Sequence, residues 1–341
     1  MAMKAVVLDA VNSISSKEIE VDQIGSGEVL VKVEAAGICG SDRHILHGTY
    51  PASYPVVLGH EFSGIIESVP SQSRFKVGDR VNVNPNIACH ICKYCSMGIV
   101  NLCENNMAHG VQKNGGLANY VLVNETQLFA LPSSIDSRFG AFCEPIACCV
   151  QGIELAEIKP GDNVAILGGG VIGQLMVQLV KLAGAKTILL STRQQPRREM
   201  AESLGATHTI DPSSHSTEKF IGSGGVAPEG FDVVLECAGT KETLQQSLDI
   251  VRKGGTVILF GVMPQNEMFE INPFDIFVRQ VRIQGVFTGS TVHQKAVDLV
   301  AAEKLVLSPL ITHLVGLDEV PKILSGQPLP GEVKTIVLPN G

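Results

Sequence analysis

Four cysteines between residues 89 and 103 form the clearest chemical pattern in this 341-residue sequence. Their spacing is Cys89-x-x-Cys92-x-x-Cys95-x7-Cys103, within a polar, asparagine-rich segment. Four thiolates from one loop match a closed tetrahedral zinc site, which leaves no position open for a substrate. An iron–sulfur cluster is the competing interpretation, but the last cysteine is distant and no proline follows it. The pattern therefore predicts a structural zinc ion that clamps a long loop.

A second group of candidate ligands lies in glycine-marked turns. These side chains can bind a metal or carry a proton, and they are Cys39, Ser41, Asp42, His44, His60, Glu61 and Glu144. Taken singly, each has an ordinary structural explanation, because lone cysteines and histidines most often belong to the core. Glu144 also stands where a helix would begin, just before Pro145. Spacing alone leaves both a metal site and simple packing open.

The segment LGGGVIG contains the spacing G-x-G-x-x-G at Gly168, Gly170 and Gly173. The first glycine permits a tight turn, the second lets the backbone approach a pyrophosphate, and the third lets helix and strand pack closely. Val171 and Ile172 would open the helix, whose N-terminus favours phosphate charge. A glycine-rich turn without a ligand is the alternative. The strand before it and the helix after it favour a dinucleotide site.

The residues that follow the next predicted strand select the form of the dinucleotide. An NAD site needs a carboxylate there for the ribose 2′-hydroxyl, whereas this chain has STRQQPRR from residue 191 and no acid before Glu199. An acid would repel a 2′-phosphate, while a hydroxyl and guanidinium groups would bind it. Thr192, Arg193 and Arg197 therefore predict NADP, with NAD as the alternative. Arg198 is a weaker candidate because it points about 100° away from Arg197 on the helix.

The elements that position these groups fall into two classes. The first 150 residues are β-rich, with strands predicted at 4–8, 28–35, 62–69, 80–83 and 118–123. From residue 161 strands and helices alternate, with strands at 163–167, 187–190, 231–236 and 256–260 and helices at 171–183, 196–204 and 242–251. This rhythm predicts a doubly wound parallel sheet. After a helix at 292–302, the strand-like pieces ending at 335–338 are expected to rejoin the N-terminal part. The predicted domains are 1–150 with 287–341, and 151–286.

Composition excludes several classes of protein. Hydrophobic residues make up 45% and charged residues 18% of the chain, which excludes a disordered protein. The net charge of −8 disfavours binding to nucleic acid. No uninterrupted apolar run approaches the length of a membrane span, and the N-terminus lacks signal-peptide features. We therefore expect a cytoplasmic protein whose nine cysteines are reduced or metal-bound.

The motifs GICGSDRH, GHEFSG, the four-cysteine loop, EPIA and GGGVIG occur here in that order. Together they resemble those of the zinc-dependent medium-chain dehydrogenases/reductases, which include alcohol, polyol and threonine dehydrogenases. The resemblance covers almost the whole chain. It implies an α/β fold in which a Rossmann doubly wound parallel sheet is inserted in a GroES-like, β-rich catalytic domain. It also implies two zinc ions per subunit.

The resemblance assigns roles to the second group of candidates. It implies that Cys39 and His60 bind a catalytic zinc ion, with the other ligands drawn from Glu61, Glu144 and water. Glu144 falls where polyol dehydrogenases carry a glutamate. By the same resemblance, Ser41 and His44 relay a proton and Asp42 orients His60. One departure is Thr288, which stands where sorbitol-type enzymes typically carry an arginine, so the substrate need not be a simple hexitol.

These features predict a zinc-dependent oxidoreductase that transfers a hydride between NADP, or alternatively NAD, and an alcohol, polyol or sugar. Amino-alcohol oxidation of the threonine dehydrogenase kind is the runner-up. A sensor that binds zinc and nucleotide without catalysis is a third interpretation. A zinc-free quinone reductase is disfavoured because it would lack both cysteine-containing sites. A homodimer or homotetramer is expected, with no nucleic-acid or membrane partner.

Overall fold

The computed structural model describes residues 1–214 and 217–341 and divides the chain into two compact units. One unit comprises Met1–Ala147 and Gly289–Gly341, and the other comprises Cys148–Thr288. The second unit is thus an insertion in the chain of the first. The observed boundaries lie two to three residues from the predicted ones.

Strands predominate in the first 130 residues, and strands and helices alternate after residue 163. The strands are β1 (Ala2–Ala10), β2 (Ser13–Glu20), β3 (Glu28–Gly37), β4 (Val56–Val57), β5 (Glu61–Ser68), β6 (Arg80–Val83), β7 (Asn86–Ile87), β8 (Met107–Ala108), β9 (Tyr120–Asn124), β10 (Leu128–Ala130), β11 (Asn163–Leu167), β12 (Thr187–Ser191), β13 (His208–Ile210), β14 (Phe231–Glu236), β15 (Val251–Leu259), β16 (Arg282–Gly285), β17 (Ile311–Val315) and β18 (Lys334–Val337). The α-helices are α1 (Gly40–Leu46), α2 (Lys93–Ser96), α3 (Ser137–Gly140), α4 (Cys143–Ala156), α5 (Val171–Leu182), α6 (Gln195–Leu204), α7 (Lys241–Ile250), α8 (Pro273–Arg279), α9 (His293–Ala301) and α10 (Val320–Ser325). Short 3-10 turns occur at Val100–Leu102, Glu125–Gln127, Thr217–Phe220, Ser290–Val292 and Ser308–Leu310.

The first unit is built on a sheet with the strand order β10-β6-β5-β3-β18-β17, in which β9 also pairs with β3. β3 and β5 are antiparallel, and Gly37 at the end of β3 pairs with Glu61 at the start of β5. β18 pairs with β3, which confirms that the C-terminal strands rejoin the N-terminal part of the chain. The inward side chains of this sheet form a hydrophobic core that includes Val31, Val33 and Phe62.

The second unit is a six-stranded parallel sheet with the order β13-β12-β11-β14-β15-β16. This confirms the predicted doubly wound architecture, whose strand order reverses between β11 and β14. β11 reads NVAIL and is buried along most of its length, as expected of a central strand covered by helices on both faces. Ligands of such sheets bind beyond the carboxyl ends of the strands at the point of reversal. The glycine-rich turn after β11 lies at that point.

Residues 137–156 form the one helical stretch of the described residues with the length and hydropathy of a membrane-crossing segment. Of this stretch, 61% is buried inside the protein. The core helix of a folded domain shows the same combination, because its apolar surface packs against other elements.

Candidate functional site

Cys39, His60 and Glu61 converge although their sequence positions are about twenty residues apart. Their ligand atoms all lie within 4.8 Å of one another. The pairing of Gly37 with Glu61 is the cause, since it places Cys39, two residues after β3, beside His60, which directly precedes β5. A side chain at Gly37 would collide with the Glu61 carboxylate, so only glycine permits this close approach. A thiolate, an imidazole and a carboxylate at this separation fit a zinc ion with one position left open.

The imidazole of His60 is oriented by Asp42, which is fully buried. Asp42 Oδ1 lies 3.3 Å from His60 Nδ1, and Asp42 Oδ2 accepts a hydrogen bond from the Cys39 backbone. Burial lowers the pKa of His60, but Asp42 and Cys39 together raise it further, so the pKa lies well above its usual value. Nε2 remains on the side facing the ligand cluster. This is how a carboxylate commonly orients a metal-binding histidine.

Ser41 and His44 sit on α1, but they contact different groups. Ser41 Oγ lies 3.2 Å from His60 Nε2, within the ligand cluster. The ring of His44 instead shares a hydrogen bond with Thr49 Oγ1 at 3.1 Å. The structure therefore brings Ser41 to the candidate metal site and places His44 against the following turn.

Glu144 is buried in the first turn of α4 and lies outside the cluster formed by Cys39, His60 and Glu61. Glu61 is held by Lys334 of β18, a side chain that the sequence analysis did not identify. The Lys334 ammonium pairs with Glu61 Oε2 and donates a hydrogen bond to the Ile38 carbonyl at 3.0 Å. Burial lowers the pKa of Lys334, but the charge of Glu61 raises it above its usual value. The sequence contains one signal for this contact: Lys334 is the single charged residue in the segment VKTIVL, and a charge in such a strand indicates a buried partner of opposite charge.

Cys89, Cys92, Cys95 and Cys103 form a separate cluster between β7 and β8. Their four sulfur atoms lie within 4.8 Å of one another. The backbone amides of Ile91 and Cys92 stabilise the Cys89 thiolate and lower its pKa to about 6. The Cys103 sulfur accepts a hydrogen bond from the Cys89 amide at 3.2 Å. Four converging sulfurs with amide donors fit a structural zinc ion.

In the second unit, a cleft of about 690 Å³ opens beyond β11 and β12. Its wall includes Gly168, Gly170, Thr192, Arg193, Arg197, Ser213 and Cys237. Gly168 has a φ of +117°, and a side chain at Gly173 would strike the Gly168 carbonyl. Around Gly170 the space is open, and Val171 and Ile172 begin α5. This arrangement admits a pyrophosphate at the helix N-terminus.

Thr192, Arg193 and Arg197 thus lie together on one wall of this cleft, whereas Arg198 is engaged elsewhere. Arg198 Nη1 donates to the carbonyl oxygens of Thr192 and Arg193 at 2.7 and 2.9 Å. A buried amide that the sequence analysis missed, Gln174, donates to the carbonyls of Gly169 and Arg197. Such contacts have no sequence signal, because they depend on which segments the sheet brings together.

Four cysteines lie outside the two clusters of candidate ligands. Cys143 and Cys149 are fully buried, and burial raises the pKa of the Cys143 thiol. Cys148 is half-buried on α4. Cys237 differs, because it lies at the end of β14 on the wall of the cleft.

Two family descriptions match separate parts of the chain. Residues 25–133 match the alcohol dehydrogenase GroES-like domain, and residues 171–302 match the zinc-binding dehydrogenase family. D-arabinitol dehydrogenase 1 of Uromyces fabae is 30% identical over 99% of this chain and 97% of its own length. Sorbitol dehydrogenase of Bacillus subtilis is 32% identical over 93% of this chain and 91% of its own length.

A crystal structure from Sinorhizobium meliloti 1021 superposes with a TM-score of 0.97 and 48% identity. It covers 99% of this chain and 100% of the other. That protein is described as a zinc-binding dehydrogenase and is bound to NADP.

Proposed function

The chain belongs to the zinc-dependent medium-chain alcohol and polyol dehydrogenases, and from this premise we propose that it transfers a hydride between NADP and a polyol or sugar. The reaction class, a nicotinamide-dependent oxidation of an alcohol or the reverse reduction, follows from the family. The identity of the nucleotide and the class of substrate are the proposal.

The convergence of Cys39, His60 and Glu61 beside Ser41 is the observation that carries this function. When bound, zinc supplies a Lewis acid for the substrate oxygen and the nicotinamide accepts the hydride. Cys39 and His60 would hold the metal, and Asp42 orients the ring of His60. Ser41 Oγ would receive the proton that leaves the substrate hydroxyl and pass its own hydroxyl proton on to solvent water, so that the serine stays neutral. Lys334 balances the negative charge of Glu61 in the buried interior.

The end of β12 favours NADP. Thr192 occupies the place where an NAD site carries a carboxylate, and Arg193 and Arg197 line the same wall. Guanidinium groups bind phosphate oxygens through paired hydrogen bonds. The NADP-bound relative, at 48% identity, supports the same choice.

The cofactor is tested by comparing the dissociation constants of NADP and NAD. We expect wild type to prefer NADP by about a hundredfold, the contribution of two charge-assisted contacts. Arg193→Ala and Thr192→Asp should both reduce that preference. Lys186→Ala is the matched control, because Lys186 is an exposed cation before the opposite end of β12. A wild type that prefers NAD, or an unchanged ratio in Arg193→Ala, would contradict the NADP proposal.

The substrate class is tested with a panel of polyols, sugars and simple primary alcohols, measured with both nucleotides. We expect polyols or sugars to give the highest kcat/KM. The resemblance to arabinitol and sorbitol dehydrogenases supports this choice. Activity confined to simple alcohols or to amino alcohols such as threonine would contradict it.

The active form proposed here is a cytoplasmic homo-oligomer, a dimer or a tetramer. The second unit exposes Met268, Phe274 and Phe277 by 79%, 70% and 75%, beside the edge strand β16. Exposed aromatic side chains beside an open strand edge favour association with a second copy. A two-fold axis would let the same surface pair with itself. Reduced cysteines in the metal cluster fit the reducing conditions of the cytoplasm.

A further inference from the structure

Arg197 and Arg198 are neighbours in the first turn of α6, but their side chains occupy different surroundings. Arg197 lines the cleft, whereas Arg198 bonds to the backbone of the preceding segment. The two carbonyl oxygens that Arg198 Nη1 binds belong to Thr192 and Arg193. These are two of the residues proposed to meet the 2′-phosphate. Arg198 therefore holds the backbone of the phosphate-binding segment.

Asp211, just after β13, orients Arg198 from the other side. Asp211 Oδ2 lies 3.2 Å from Arg198 Nη1. Its other oxygen accepts hydrogen bonds from the Ser213 amide at 3.0 Å and the Ser213 hydroxyl at 2.6 Å. Ser213 also lines the cleft. The Ser213 hydroxyl and the Arg198 charge hold the pKa of Asp211 below its usual value. The ion pair between Arg198 and Asp211 thus connects two segments that line the cleft, the one after β12 and the one after β13.

Gln174 connects the glycine-rich turn to the first turn of α6. This fully buried side chain donates to the Gly169 carbonyl at 3.3 Å and to the Arg197 carbonyl at 2.8 Å. A Cβ at Gly169 would lie 2.7 Å from the side chain of Thr192, so the turn and Thr192 are in close contact. The turn that receives the pyrophosphate is therefore tied to the segment that would receive the 2′-phosphate.

We infer that Arg198, oriented by Asp211, is a positioning residue for cofactor selectivity rather than a ligand of the nucleotide. Arg198 keeps the carbonyl oxygens of Thr192 and Arg193 bonded to itself. A carbonyl oxygen that turned toward the 2′-phosphate would repel it. Holding the segment in its binding geometry before the nucleotide arrives reduces the entropy lost on binding. This inference rests on the NADP proposal made above.

The experiment compares the ratio of the NADP and NAD dissociation constants in the zinc-loaded enzyme. Arg198→Met and Arg198→Lys should each lower the preference for NADP about tenfold, because a displaced segment would lose about one charge-assisted contact to the 2′-phosphate. Lysine keeps the charge but carries it on a flexible stem without the rigid guanidinium plane that fixes the position of Arg198 Nη1 between the two carbonyls. If Arg198→Met does not fold, Arg198→Lys still tests the inference. The affinity for NAD should change little, because NAD carries no 2′-phosphate.

Asp211→Asn separates positioning from direct binding, since the two roles predict opposite signs. If Arg198 positions the segment, loss of its partner weakens NADP binding. If Arg198 were a direct ligand, the released guanidinium would strengthen NADP binding and Arg198→Lys would keep the preference. Stronger NADP binding in Asp211→Asn would therefore overturn the inference.

Arg252→Met is the matched control. Arg252 also bonds an aspartate, Asp232, and a backbone carbonyl, that of Lys253, but at the amino ends of β15 and β14 in the same sheet, whereas the cleft lies beyond the carboxyl ends of β11 and β12. Its loss should lower the Tm and leave the ratio of dissociation constants unchanged. If Arg252→Met also lowers the preference for NADP over NAD, the effect comes from a general loss of stability in this unit. That result would overturn the positioning role of Arg198. A wild type that prefers NAD overturns the NADP proposal and this inference together. A wild type that prefers NADP, with an unchanged ratio in Arg198→Met, overturns this inference alone.

Discussion

Ser41 is the residue through which this chain would receive the substrate's proton. Its Oγ lies 3.2 Å from His60 Nε2, at the candidate metal site. A positioned proton-transfer group contributes roughly 10²–10⁴-fold to the rate. We expect Ser41→Ala to lower kcat by that factor while the zinc content and the NADP affinity persist. Steady-state kinetics and elemental analysis of the same preparation measure both.

Two further variants serve as controls for Ser41→Ala. Ser41→Thr keeps a hydroxyl and should retain most of the activity that Ser41→Ala loses. Ser71→Ala removes an exposed serine from a turn of the same unit and should leave kcat unchanged. If Ser41→Ala turns over at the wild-type rate, the proton leaves by another route. If Ser41→Ala loses zinc, the hydroxyl supports the metal site instead.

At the scale of elements, the segment between β7 and β8 depends on its four cysteines. It contains little regular structure apart from the one-turn helix α2 and a 3-10 turn. Such a segment has few apolar contacts to hold it, so a structural zinc ion contributes directly to its folding. We expect Cys92→Ser to lower the Tm and the zinc content from two ions per chain to one. Differential scanning calorimetry and elemental analysis measure these quantities.

Cys148→Ser is the control for that variant, because Cys148 is half-buried on α4 and belongs to neither cluster. It should keep both zinc ions. An unchanged Tm with two zinc ions in Cys92→Ser would contradict the structural role. If elemental analysis of the wild type finds iron and inorganic sulfide, the four cysteines hold an iron–sulfur cluster rather than zinc.

The junction of α9 and β6 contains a buried neutral histidine. His293, which begins α9, is 1% exposed, and its Nε2 lies 2.6 Å from Asn82 Oδ1 of β6. The Asn82 amide group donates to the carbonyls of Phe62 and Gly140, so its oxygen is left to accept the bond from His293. Burial lowers the pKa of His293 to about 3. Protonation of this ring therefore opposes folding.

This burial predicts a loss of stability in mild acid. Between pH 6.5, the ordinary pKa of histidine, and about 3, the unfolded chain binds a proton at His293 that the folded chain does not. The free energy of unfolding should then fall as the pH falls, by about 1.4 kcal/mol per pH unit from this residue. His293→Gln keeps a donor for Asn82 and should show a shallower loss. Urea unfolding at pH 7 and pH 5 measures the difference.

His47→Gln removes an exposed imidazole of the same unit and should retain the wild-type acid loss. Equal losses in wild type and His293→Gln would show that other groups cause the pH dependence.

At the scale of the whole molecule, the exposed apolar surface of α8 predicts self-association. Phe277 is 75% exposed, and burying such a side chain in an interface favours association by about 2 kcal/mol. We expect Phe277→Asp to shift the wild-type oligomer toward monomer, because each interface would gain two buried carboxylates. Light scattering coupled to size-exclusion chromatography measures the mass.

Val77→Asp is the control, since Val77 is 65% exposed but lies alone in a turn of the other unit. It should keep the wild-type mass. A monomeric wild type, or an unchanged mass in Phe277→Asp, would contradict association through α8.

Local patterns allowed correct prediction of the elements whose residues are close in sequence. β11 and β14 begin and end at the predicted residues, because apolar runs bounded by turns specify buried strands. β2 was missed because its sequence, SISSKEIE, is polar and none of its residues is buried. α8 was missed because it is short and exposes its aromatic residues.

The spacing of the four cysteines and of the three glycines is set within single loops, so the sequence by itself determined both of these candidate sites. The convergence of Cys39 and His60 depends on the pairing of β3 with β5, and Lys334 reaches Glu61 from 273 residues away. Arg198 could be assigned to the backbone of Thr192 only when β12, β13 and α6 were in place. Glu144, close in sequence to nothing else at the site, lies outside the ligand cluster. Tertiary structure decided these contacts because strand register and helix packing bring distant residues within bonding distance, and neither is encoded in local spacing.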